Sequence, residues 1–225
     1  MDLNEELPHE VAHKCQNILA IDEEIAGEIL ESLWTSILCG DCAEEELVHT
    51  LCECVEDETD EDCDEATAYP VVNHLLQARA QHLAQFGEIH SRLTAAFEQL
   101  QERGLLALQD FTCCSTCGHH EAGSRMYKEK KRGYVFFHRQ DTESLVYSGV
   151  TYLCYGANET TKMSRQEWEF LDSSEKEKQH CMMVRELVEN DLQPVFADHD
   201  IEFEWDGEIA GAMLIKNCDY FAPVR

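Results

Sequence analysis

Asp110 to Ala122 read DFTCCSTCGHHEA, which puts three cysteines, two histidines and a glutamate within thirteen residues. Thiolate and imidazole are the donors zinc prefers, and a Cys-x-x-Cys turn presents two sulfurs to one ion. Cys114 and Cys117 have that spacing. Gly118 follows, where a metal knuckle benefits from a residue able to take positive φ. His119 or His120 can supply a third donor. Adjacent side chains diverge, so Cys113 is expected to point away from Cys114; Cys113, His138 and Cys154 stand as further donors. Cys39 and Cys42 form the other Cys-x-x-Cys pair, with His49, Cys52 and Cys54 downstream.

These residues leave three readings open: a metal site, inert reduced thiols, or thiol redox chemistry. A redox motif belongs between a strand and a helix whose N-terminus lowers the first thiol's pKa. GLLALQDF (104–111) can be that strand, but GHHEAG is expected to start no helix.

A second group sits at a strand end. GYVFFHRQDTE (133–143) delivers His138 and Asp141 to the carboxyl end of a strand, where functional groups gather in sheets flanked by helices. His138 can act as a base or complete the cysteine site. Asp141 is the natural N-cap of a helix over DTESLVY. These two are the candidate catalytic residues. Gly-rich phosphate loops, Gly-x-Ser-x-Gly elbows and His-Glu-x-x-His motifs are absent from the sequence.

The elements that must hold these groups change character midway along the chain. In the first half, Ile25, Ile29, Leu33 and Ile37 recur at helical spacing behind Asp22 as cap and ahead of Gly40 as terminator. Asp41 is expected to cap a further helix along Leu47, Val48, Leu51 and Val55. The run EDETDEDCDEA (56–66) reads as a loop. Two more helices are expected over about 69–86 and 88–103, the second closed by Gly104. In the second half, 133–138 and 151–156 read as strands, and a helix runs from about Ser174 until Pro194 interrupts it. IEFEW (201–205) and GAMLIK (211–216) read as a hairpin. The expected fold is α+β: an acidic helical region, 1–66, packed against a region 67–225. The latter carries a helix pair, the cysteine knuckle and a small layer of about four strands in the order β-α-β-α-β-β.

The chain has 225 residues and a formal net charge of −29, with 46 Asp and Glu against 17 Lys and Arg. Residues 1–64 hold 21 of those acids and one base, Lys14. Such a surface repels nucleic-acid phosphates and anionic lipid and attracts basic partners. No apolar run approaches the ~18 to 20 residues that cross a bilayer, and MDLNEELPHE has no secretory h-region. A cytoplasmic protein with reduced cysteines is the expectation, bound to a basic protein partner and to neither nucleic acid nor membrane. The one basic cluster, RMYKEKKRGY (125–134), is expected to meet the chain's own acidic region.

AFEQLQERGLLALQDF, CCSTCGHHE, RGYVFFHRQDTE, TYLCYGA and the late IEFEWDG together resemble an uncharacterised bacterial family, domain of unknown function 6891, over about residues 93–215. The resemblance implies an α/β layout, a bacterial cytoplasmic setting and no catalytic assignment for His138 or Asp141. It also implies relatives with Ser-Asp-Gly in place of Cys-Gly, so that metal binding by Cys114 and Cys117 is not common to all members. The leading expectation is a non-enzymatic interaction protein with a zinc knuckle formed by Cys114, Cys117, His119 and His120. Its rival is a thiol- or zinc-dependent enzyme using a groove near His138.

Overall fold

The structure, a computed structural model, describes residues 4–40, 43–59, 61–86, 91–209, 211 and 213–222. The chain forms two compact units, Met1–Ile89 with Phe221–Arg225, and His90–Tyr220.

The first unit is helical: α1 (His9–Leu19), α2 (Glu23–Cys39), α3 (Glu44–Glu58) and α4 (Glu65–Leu83). The Asp22 carboxylate accepts from the amides of Glu24 and Ile25, so α2 starts where its cap predicts. Gly40 closes it with φ 75°, a left-handed conformation that suits glycine. Asp41 lies outside the described residues; α3 follows Ala43, whose amide donates to Glu46 Oε2 at 3.3 Å. The acidic run expected to be loop is helical as far as Glu58, and Asp64 then caps α4 by accepting from the Thr67 amide. Leu30, Leu33, Trp34 and Leu38 are buried with Leu47, Leu51, Val71 and Leu75 to make this unit's core. α4 packs against α1 and α3, and the boundary expected at 66 lies within its first turn.

The second unit is α+β. α5 (Arg92–Glu102) leads to β1 (Leu106–Leu108), α6 (Ser115–Lys128), β2 (Gly133–Phe136), α7 (Arg139–Ser148) and β3 (Thr151–Ala157). Then come α8 (Arg165–Phe170), α9 (Ser173–Leu187), α10 (Gln193–Asp198), β4 (Glu202–Glu204) and β5 (Met213–Lys216). The sheet order is β1-β2-β3-β5-β4, with β1 and β2 parallel and the other neighbours antiparallel. Five strands form among the described residues where about four were expected, because Leu-Ala-Leu at 106–108 adds one too short to show a period. One sheet face buries Leu106 and Phe136 under Ala122 and Met126 of α6. Elsewhere in the unit the Phe97 ring lies edge-on to Phe137 at 5.7 Å and tilted against Phe196 at 6.3 Å.

Pro194 does interrupt α9, through a π-helical turn, Val188–Leu192, that leads into α10 with the proline in its first turn. That turn brings Asp191 onto Arg132, which donates from both terminal guanidinium nitrogens at 2.9 and 3.0 Å. At the far edge, β4 carries Glu202 and Glu204 outward, and Lys216 Nζ donates to Glu204 Oε1 at 2.7 Å.

Candidate functional site

The cysteine stretch occupies the turn between β1 and α6, beside the carboxyl ends of the parallel pair β1 and β2. Asp110 and Thr112 take positive φ, 47° and 61°, which reverses the chain immediately before Cys113. The turn is tied down by backbone hydrogen bonds: the Phe111 amide donates to Phe137 O at 2.9 Å and the Arg139 amide to Thr112 O at 3.2 Å. Cys114 is the N-cap of α6, with extended backbone, and Cys117 lies in the helix's first turn. GHHEAG is therefore helical after all. Gly118, Ala122 and Met126 are the buried stripe that makes it so, spaced four residues apart against the sheet. Gly118 is needed there, because a Cβ would stand 2.4 Å from Phe136 Cε2 and Cζ.

The sulfurs of Cys113, Cys114 and Cys117 lie within 4.8 Å of one another, the one such donor group among the described residues. Cys113 and Cys114 do not diverge; their Sγ atoms are 3.9 Å apart. The reversal at Thr112 and the cap at Cys114 break the alternation that a regular strand would impose. Tetrahedral zinc with Zn–S near 2.3 Å places its sulfurs about 3.8 Å apart, so this edge already has the right length. Cys113 and Cys117 are exposed and Cys114 is half-buried. The Cys117 amide, the other two thiols and the Thr116 amide stabilise the Cys114 thiolate and hold that thiol below its usual range. Cys117 is pushed the other way, to about 11, by hydrogen bonds with Cys113 and Cys114. Three soft donors thus face solvent at one point and can hold a metal.

The expected histidine donors go elsewhere. His119, about 200° round the helix from Cys117, turns to the sheet, where its Nδ1 lies 2.8 Å from Tyr134 Oη and its ring meets Phe136 edge-on. Burial lowers its pKa. His120 is exposed and outside the sulfur group. Cys154 sits opposite Phe136 in the ladder and packs against the α6 cluster, its thiol pushed to about 11 by burial.

His138 and Asp141 do meet, with roles different from those the spacing suggests. His138, not Asp141, is the N-cap residue of α7, and its side chain makes no cap bond. Asp141 falls in the first turn and places Oδ2 3.1 Å from His138 Nε2. Burial raises the Asp141 carboxyl while His138 draws it down. His138 Nδ1 is buried with no hydrogen-bond partner. Thr142 Oγ1 donates to Asp110 Oδ1 at 2.8 Å, linking α7 to the base of the cysteine turn. Within the basic cluster, Arg125 pairs with Glu129 and Arg132 with Asp191, both acids of the second unit and not of residues 1–64.

Residues 22–220 match the family described as Domain of unknown function (DUF6891). The chain belongs to that family, and the match reaches well beyond 93–215 into the N-terminal helices. No curated protein and no solved structure matches the chain.

Proposed function

We propose that this protein binds a thiophilic metal ion, zinc first among them, on Cys113, Cys114 and Cys117, with a coordination position left open to solvent or to a partner. The convergence of three sulfurs within 4.8 Å of one another, with Cys113 and Cys114 Sγ at 3.9 Å, is the observation that carries the reading. The turn has its own backbone bonds and its own packing against Phe136, so the metal serves exchange or recognition rather than holding the fold together. No helix among the described residues is long and apolar enough to cross a membrane. Eleven free cysteines among those residues suit a reducing compartment such as the cytoplasm. The acidic first unit, with 21 acids to one base over residues 1–64, suits a basic protein partner and no nucleic acid. The role is non-enzymatic in this reading.

The test is elemental analysis of purified chain and of Cys117→Ser. About one zinc per chain, lost in the variant while its far-ultraviolet circular dichroism is unchanged, supports an open site. Loss together with unfolding favours a structural knuckle, and no uptake by the native chain removes the metal altogether.

One observation favours a second reading, a thiol- or zinc-dependent enzyme. His138 is oriented by a carboxylate at Nε2, and its buried, unbonded Nδ1 would serve as a general base once opened to a substrate. That reading requires Cys114 to react with alkylating agents faster than Cys181, a half-buried thiol outside the sulfur group.

A further inference from the structure

A separate thiol pair lies in the first unit. Cys52 on α3 and Cys63, just before α4, have side chains in hydrogen-bonding contact. Both line a surface cavity of about 470 Å³ that Glu45, His49 and Tyr69 also line. Cys63 is 8% exposed and Cys52 half-buried where they line that cavity. Glu45, His49 and Cys52 are four and three residues apart on α3, which stacks them along one face of the helix. His49 Nε2 lies 3.3 Å from Glu53 Oε1, and its side chain is 74% exposed.

We propose that Cys52, Cys63, His49 and Glu45 form a second metal site, for a thiophilic divalent cation such as zinc. Two thiolates, an imidazole and a carboxylate make a tetrahedral zinc donor set. The exposed His49 and Glu45 side chains swing over the paired sulfurs when the ion arrives. A cation fits this place better than a disulfide. Beside the two sulfurs the cavity wall offers an imidazole and a carboxylate, donors that a cation uses and a disulfide does not. A divalent ion supplies the charge that stabilises thiolate there, and the anionic surroundings concentrate cations.

The probe is cobalt(II), added to the full chain carrying Cys113→Ser, Cys114→Ser and Cys117→Ser. That variant is expected to bind one cobalt per chain with sulfur-to-cobalt charge-transfer absorption. The absorption disappears on adding Cys52→Ser or Cys63→Ser, and His49→Gln weakens binding about tenfold or more. Absence of the absorption in the triple variant, or its survival after Cys52→Ser, overturns the proposal. Should the triple variant fail to fold, the native chain decides. Zinc is expected to protect Cys52 and Cys63 from alkylation, read by peptide mass spectrometry, and modification of both at the metal-free rate overturns the site. Cobalt binding that persists undiminished in the triple variant refutes the metal at Cys113, Cys114 and Cys117 without touching this one.

Discussion

His138 Nε2 and Asp141 Oδ2 stand 3.1 Å apart across the first turn of α7, while the other ring nitrogen of His138 is buried and unbonded. A neutral imidazole in that position carries its proton on Nε2 and a bare lone pair on Nδ1. Nitrogen-15 spectra of the ring in its neutral form are expected to report that tautomer, and Asp141→Asn is expected to let the Nδ1-H form appear. A spectrum dominated by Nδ1-H in the native chain would show that the carboxylate does not set the ring's state.

Gly118→Ala is expected to destabilise the second unit even though alanine is the better helix former by about 1 kcal/mol. The new methyl would overlap Phe136, with Thr112 Oγ1 only 3.1 Å away on another side. Overpacking of this kind costs about 1 to 3 kcal/mol. Because α6 must lift from the sheet, metal uptake by Cys114 and Cys117 should weaken as well. Thermal melts and zinc competition measure both, and an unchanged melting temperature would mean the helix start is not clamped on Phe136.

Zinc affinity at Cys113, Cys114 and Cys117 is expected to rise with pH. Cys117, at about 11 without metal, is protonated near neutrality and must give up its proton to bind. Each proton released steepens the dependence by about tenfold per pH unit. Competition against a chelator of known protonation between about pH 6 and pH 8 should therefore show at least that slope. A flat profile would mean that Cys117 is not a ligand.

Asp191→Asn is expected to cost about 2 kcal/mol, the range for losing hydrogen bonds made by charged groups. The Asp191 side chain is 9% exposed and takes both Arg132 nitrogens, whereas Arg132 is 49% exposed and recovers water when released. The cost should fall on the second unit, since Arg132 and Asp191 both lie there, and denaturant melts with a probe in that unit are the measurement.

Much of the helical frame was legible because capping is local chemistry. Asp22 and Gly40 fix α2 through bonds to residues two to four positions away, and such spacing is visible in a sequence. The start of α6 was not legible. Gly118 and the paired histidines argue against a helix by propensity, and only the distant Phe136, against which Gly118 packs, overrides that local preference. The sulfur group was half legible. The Cys114–Cys117 spacing pointed to it, but Cys113 joins through left-handed backbone at Thr112, a residue type that gives no such signal. His138 and Asp141 were picked out by their place after a strand. Their contact followed from a one-turn spacing, and the reversal of cap and partner depended on where α7 begins.

The sheet ends on three-residue strands at both sides, and the outer one, β4, turns Glu202 and Glu204 toward water. A second chain that tried to extend the ladder there would have to bring its own backbone alongside two like charges with little length to gain. The short acidic rim therefore works against ribbon-like self-association, and a concentrated solution of the protein should stay free of cross-β aggregates as long as the second unit is folded.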